Sequence, residues 1–470
     1  MAGTYQEGQS KVLSGVYSLI KAIVQSITPG QRGIVAVPFT ANWGPVNTLT
    51  VMGRATEFDA TYNTKEGAAG IGEPTTAQKV RTLAYKALPY QVVGYRMATA
   101  NAAKGSATLA TGWTLETVYP SDRTFQAIVK PGTAAGATAV QIIENNVVLA
   151  VVEDTTVDGL KTKLDATGIV TVKAAGAALP TAAAGVPFTG GNNGATVTAT
   201  EYGAFLQEVE ADHTANSIAF DGVTDTATLA VLDAWLRRVR DEGFYITALR
   251  GGPTAWDNDL ALANAVSKSL NYRGAVNVGN GCDGYTAADM AIFAAAYVAA
   301  IALNASVTDQ VVLFEKVNVK KPLTQGGRTA AKQAGTLIFV MEGGQVLVDE
   351  GVNTLTAAVG NDVPEMGKIR INTAIDHIAG SLEQFGNAYK KTRSNTEAAR
   401  RAYASLVEDE FFSPLARMEV VQPGYSYKED PNYHGKDAAF TPKLDEAFFV
   451  SNYQPVDSME KIYQKFGVQF

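Results

Sequence analysis

The chain has 470 residues, 46% of them apolar and only 18% charged, with 39 Lys and Arg against 46 Asp and Glu for a net charge of −7. At about 150 residues per domain this is the length of three or four domains with ample core, and the absence of a basic block argues against nucleic acid as the main partner. One cysteine, Cys282, rules out an intrachain disulfide framework and a thiolate metal cluster, while His213, His377 and His434 share no metal-ligand spacing, so neither cofactor nor metal is expected.

Residues 1–10 are polar, without the basic and apolar regions of a secretory signal, which predicts a chain made and folded in a cytoplasm. Residues 11–25 form a β-branched run closed by Pro29-Gly30. As a strand it would place Val16, Ile20 and Val24 on one face and Tyr17, Leu19 and Ile23 on the other. Both faces are sticky, and no hairpin partner stands beside the run, so Val12 to Val24 predict an arm that must pair elsewhere. Residues 33–38 predict a short buried strand, followed by a turn over 42–45.

Residues 95–200, dominated by Ala, Gly, Thr and Val, predict a small inserted β-rich domain. Its hairpin signature is Asn145-Asn146 between two apolar runs, because Asn tolerates the positive φ of a tight turn. From 201 to about 350, 12- to 18-residue helical patterns alternate with short apolar runs at 217–220, 244–249, 275–278 and 336–341, the pattern of βαβ units and a largely parallel sheet. Within it, 290–303 is almost wholly apolar but short of the ~20 residues a bilayer span needs, so a buried helix is expected and no membrane partner.

A long helix is predicted over 366–391, where Ile371, Ile375, Ile378, Leu382, Phe385 and Tyr389 make one apolar stripe. Ser394-Asn-Thr-Glu397 has the capping-box pattern for a second helix reaching about Phe412. After Pro414 the sequence turns strand-like and holds much of the chain's aromatic content. At the end, Ile462, Phe466, Val468 and Phe470 alternate with Tyr463 and the lysines, which predicts a second, C-terminal strand arm over 456–470.

Little of this is catalytic. No P-loop exists, since six residues separate Gly360 from Gly367 and Ile369 cannot bind Mg²⁺ as a hydroxyl would. Cys282 has no histidine base in a recognisable motif. Asp376 and His377 are neighbours that cannot face each other on a helix, which leaves His377 a surface or interface residue. One cluster of cations stands out in a chain so low in charge: Lys390, Lys391, Arg393, Arg400 and Arg401. It is either a solvated helix end or a docking patch for an acidic surface.

Several segments, in order and spacing, resemble the tail sheath proteins of contractile phage tails and phage-tail-like bacteriocins. They are Gly15-Val16-Tyr17, 30–38 through Asn42-Trp-Gly-Pro45, 188–194, 236–243, 351–356 and 368–376. Ser14 departs from the proline common before Gly-Val-Tyr. The resemblance implies an α/β and β multidomain structural protein, not an enzyme. Its parts would be an N-terminal arm (1–30), the first part of the body (31–94), the β-rich insert (95–200) and a subtilisin-like α/β core without catalytic residues (201–358). An α+β domain facing an inner tube (359–455) and a C-terminal arm (456–470) would follow.

It further implies hexameric rings stacked helically around the tube, with baseplate and tail terminator proteins as further partners. The arms would exchange strands between subunits, in a virion tail assembled in the host cytoplasm, and the cation cluster becomes the expected tube contact. The rival readings are an α/β hydrolase-like enzyme with an accessory β domain and a monomeric receptor-binding tail component.

Overall fold

In a computed structural model, residues 2–4, 16–18, 32–63, 75–320 and 323–467 are described. They fall into two compact units: 31–380 with 456–470, and 1–30 with 381–455.

At the centre of the first unit, the run Ile34–Phe39 is buried at every position. Such a strand needs cover on both faces, and it lies inside a seven-stranded sheet. The spatial order is Thr336–Leu337, Ala275–Val278, Thr247–Arg250, Ser217–Ala219, Ile34–Phe39, Gln91–Arg96 and Leu49–Met52. Every neighbouring pair is parallel except the last. Period two divides the strands between two cores. Val35, Val37 and Phe39 pack with Phe58, Val80 and the helix Ala287–Ala300. Ile34 and Ala36 pack with Phe205, Leu232 and Leu236 from the helices Ala199–Asp212 and Thr226–Asp241.

The apolar helix Ala287–Ala300 is buried nearly all round and opens with a reciprocal capping box between Thr286 and Asp289. An all-round apolar helix of this length belongs in a core, and among the described residues no helix is long and apolar enough to cross a membrane.

Two small sheets lie within 106–187. One holds Ser106–Leu109, Trp113–Thr117 and Val170–Ala174; the other holds Phe125–Pro131, Thr138–Glu144, Val147–Asp154 and Ala183–Pro187. Asn145 and Asn146 take φ values of 49° and 64° at the tip of the hairpin between Thr138–Glu144 and Val147–Asp154. The junction with the central sheet is built on Arg96, which is fully buried at the end of Gln91–Arg96. Its guanidinium donates to the carbonyls of Gly44 (2.6 Å), Pro120 (2.7 Å) and Asn193 (3.3 Å). Burial lowers its pKa to about 10. One buried cation thus ties together the first loop, the entry to the small sheets and the exit from them.

The run 336–341, expected as one strand, is two: Thr336–Leu337 ends the central sheet, and Phe339–Glu342 joins Gln345–Val348 and Val311–Val312 in a separate sheet. Pairing decides this, because Asn280 accepts from the Phe339 amide and draws the chain off the first sheet.

In the second unit, the helix Glu397–Val407 is capped by Thr396, whose hydroxyl accepts from the Ala399 amide, and not by Ser394 as the sequence pattern predicted. The hydroxyl two residues on has the extended backbone from which to reach it. The helix gives way at Glu408–Phe412 to a wider turn that places Phe411 and Phe412 side by side in the core. Ser426–Glu429 and Phe449–Asn452 form an antiparallel two-stranded sheet. Tyr403 touches Tyr389, Tyr427 and Phe449, which is where the aromatic enrichment of this region is spent.

Candidate assembly surfaces

The C-terminal segment 456–467 carries no strand, contrary to the period-two expectation. Its alternation has no ladder partner among the described residues, and a strand without a ladder has no hydrogen bonds to hold it. What it shows instead is exposed apolar surface: Ile462 is 71% accessible, Tyr463 90% and Phe466 82%. Residues 461–467 make no hydrogen bond or ion pair among the described residues. Val468 and Phe470 lie outside them.

Immediately before this segment the chain is held firmly. Lys368 Nζ lies 2.6 Å from Asp457 Oδ2 and 2.7 Å from Glu460 Oε2. Thr308 Oγ1 donates to Glu460 Oε1 at 3.0 Å, and Arg370 Nη1 donates to Ser458 Oγ at 2.7 Å. Partial burial works against the charge of Lys368, yet its two carboxylate partners carry its pKa above the ordinary lysine value. Asp457 and Glu460 were missed by sequence reasoning; their only signal is an acidic pair three residues apart in an otherwise cationic tail.

At the other terminus, Val16–Ser18 is a strand, but its partner is Ala2–Thr4 of the same chain, in a parallel ladder pairing Ala2 with Val16 and Thr4 with Ser18. The expectation that this run has no neighbour in its own chain is corrected for these three residues. A two-stranded sheet leaves each strand one open edge. Of the predicted N-terminal arm residues, Val16 and Tyr17 lie in this strand, while Val12, Leu19, Ile20, Ile23 and Val24 lie outside the described residues.

The cation cluster separates into two groups. Arg400 is paired with Glu429, and Arg401 with Glu397 and Glu429, so these two guanidinium groups are largely neutralised. Lys390, Lys391 and Arg393 are exposed and have no carboxylate partner among the described residues; Arg393 lies over the Tyr389 ring at 5.8 Å. Lys390, Arg393 and Arg400 line a groove of about 650 Å³ together with Tyr389, Tyr403, Tyr427 and Phe449.

In an open α/β sheet, ligands bind beyond the carboxyl ends of the strands where their order reverses, here between Ile34–Phe39 and Ser217–Ala219. That position is filled. Thr76 accepts from the Thr40 amide (2.9 Å) and donates to Asp221 Oδ2 (2.5 Å), and Tyr202 donates to Asp221 Oδ1 (2.6 Å). Lys79 and Asp289 pair beside it. Asp221 is fully enclosed, and burial pushes its pKa up against those hydrogen bonds.

The other chemistry candidates do not converge. Cys282 is buried, which pushes its thiol far above the thiolate range. Asp376 binds Arg240 and not His377. His377, expected at the surface or an interface, is half-buried; burial, with the positive Arg32 nearby, lowers its pKa to about 4. Among the described residues no three His, Cys, Asp or Glu side chains are arranged to hold a metal ion.

Residues 195–354 match the family model for the phage tail sheath protein central domain. No curated protein sequence matches the chain. Among solved structures, the sheath tail protein of Desulfitobacterium hafniense has 22% identity and a TM-score of 0.70, over 94% of this chain and 100% of that one. The sheath tail protein Lin1278 of Listeria innocua has 16% identity and a TM-score of 0.66, over 92% and 97%. The helical sheath of the anti-feeding prophage in its contracted state has 9% identity and a TM-score of 0.55, over 98% and 100%. The resemblance to contractile tail sheath proteins read from the sequence is therefore shown, in sequence over the central region and in mixed α/β multidomain fold over nearly the whole length.

Proposed function

We propose that the protein is the structural subunit of a contractile tail sheath, which polymerises helically around an inner tube and contracts to drive that tube through a bacterial envelope. The observation that carries this reading is the match of residues 195–354 to the tail sheath central domain, in a chain whose fold is similar to that of a sheath tail protein over 94% of its length. Neighbouring copies of itself are the principal partners, in hexameric rings stacked helically. The inner tube, baseplate and tail terminator proteins follow, and the setting is a virion or phage-like particle tail assembled in the host cytoplasm. The protein is not an enzyme in this reading: its α/β core is subtilisin-like in outline, and the position where such a core would work holds the closed Asp221 network.

The subunits are joined by exchange of strands. Ile462, Tyr463 and Phe466 offer apolar alternation without a ladder among the described residues, and Phe449–Asn452 pairs there on one side only, with Ser426–Glu429, whose Tyr427 amide already donates to Glu408. An incoming strand gains roughly 0.5–1.5 kcal/mol net for each backbone hydrogen bond and about 25 cal/mol for each Å² of apolar surface covered. The N-terminal run 12–24 serves as the second arm, and 95–200 as an outward-facing insert. Contraction is a shift between two packings of the bodies while the arms stay linked, with the extended packing trapped kinetically.

Negative-stain microscopy of the purified protein tests this. Tubes or stacked rings are expected from the intact chain, and folded, non-polymerising protein from a chain lacking 461–470. A stable monomer from the intact chain, or normal tubes from the truncated one, overturns the reading.

A further inference from the structure

Residues 456–470 belong to the first unit, and the hold on 457–460 is where they are fastened to it. Three residues from two separate parts of the first unit converge on Asp457, Ser458 and Glu460: Lys368 with Arg370 at the start of the helix Ile369–Lys390, and Thr308. Thr308 is itself fixed, because its hydroxyl also accepts from the Gly351 amide at 2.9 Å. These four tail contacts are all made by side chains, and each involves an ionised group, the stronger kind of hydrogen bond. From Lys461 to Gly467 no contact of this kind is made among the described residues, and the side chains of Ile462, Tyr463 and Phe466 stand in solvent.

We infer that Lys368 is a positioning residue for the C-terminal arm: held between Asp457 and Glu460, it fixes the point on its own body from which residues 461 onward depart toward a second copy of this chain. This rests on the reading of that segment as an exchanged arm. An arm's reach is a length, at about 3.3 Å for each extended residue. With the mooring closed, the free length begins at Lys461. Opened, it begins five residues earlier, at Val456, and gains about 16 Å. That is about five times the ~3.3 Å by which one residue shifts a strand register, so a loose root lets the arm arrive at a neighbour's sheet in more than one register. The pairing of one cation with two acidic side chains also suits a joint that must carry sideways load during contraction, since either carboxylate keeps the tether while the other rotates.

The mooring can be measured without any assembly. Hydrogen exchange of the isolated protomer is compared for the intact chain, Lys368→Met, Lys368→Arg, and the tail-side variant Asp457→Asn with Glu460→Gln, whose changes lie outside the core. Expected are at least about tenfold faster exchange over 456–460 in Lys368→Met and in the tail-side variant, with protection kept by Lys368→Arg. Unchanged exchange in both loosening variants overturns the inference.

Assembled sheaths then give the second reading. Lys368→Met is expected to polymerise with a broadened distribution of subunit rise and twist, restored by Lys368→Arg, and unaltered helical order in Lys368→Met also overturns it. Removal of 461–470 reports separately on the arm. Normal tubes from that truncation would defeat the exchanged-arm reading, whereas the protomer exchange experiment would still report on the mooring.

Discussion

Arg240 and Asp376 meet in two nearly parallel hydrogen bonds, Nη1 to Oδ2 at 2.9 Å and Nη2 to Oδ1 at 2.7 Å, with side chains only 3% and 7% accessible. Arg240 closes the helix Thr226–Asp241, while Asp376 lies 136 residues later on the helix Ile369–Lys390. Burial disfavours the guanidinium charge, but Asp376 more than offsets this and raises its pKa. The aspartate that looked like part of a catalytic pair is therefore a structural anion.

Breaking this pair from one side strands the other charge. Asp376→Leu is expected to lower the stability of the protomer by about 3–5 kcal/mol, whereas Arg240→Met combined with Asp376→Leu recovers most of that loss. Urea denaturation midpoints of the three proteins check this, and equal losses in the single and double variants would contradict it.

Arg96 forms no ion pair among the described residues; its partners are three backbone carbonyls from segments that the Asn193 side-chain amide also joins, donating to Asn42 and to Asp122 Oδ2. Arg96→Met is expected to leave them unsatisfied, at a cost of about 3 kcal/mol, and to raise hydrogen exchange near Pro120 and Asn193 more than in the strand Ser217–Ala219. A uniform rise across the central sheet would show that Arg96 acts on the whole body and not on the junction.

His377 predicts a pH dependence. Its folded pKa of about 4 lies below the ordinary 6.5, so between these values the unfolded chain binds the proton that the folded chain refuses. Stability contributed by the neutral imidazole is present above pH 6.5 and is lost as pH falls toward 4, by at most about 3 kcal/mol. His377→Gln should flatten that part of the stability profile, measured by denaturation at pH 4.5, 5.5 and 7. An unaltered slope would assign it to other groups.

Of the five cations expected at a tube contact, Lys390, Lys391 and Arg393 have no carboxylate partner among the described residues, whereas Arg400 and Arg401 are paired. Reversal of these three to Glu is expected to block sheath assembly on the tube while leaving the protomer folded, and reversal of Arg401 alone to have little effect. Sheaths of normal length around the tube from the triple variant would remove the patch as the docking site.

The local readings came directly from residue chemistry. Thr286 with Asp289 announces a helix start, Asn145-Asn146 a tight hairpin, and the stripe from Ile371 to Tyr389 a long helix, because caps, positive-φ turns and period-3.6 faces depend on neighbours within a few residues. The alternation of helices and strands between 201 and 350 was legible for the same reason. The tertiary structure decided what depends on distant partners. Ile462 to Phe466 alternate like a strand, yet a strand exists only where another chain segment supplies its ladder, and none does among the described residues. Asp376 finds Arg240, Arg96 finds three carbonyls, Arg400 finds Glu429 and Lys368 finds Glu460, each across a gap in sequence over which periodicity carries no information. Period and capping are properties of the chain alone, whereas which charge meets which is set by how its elements pack.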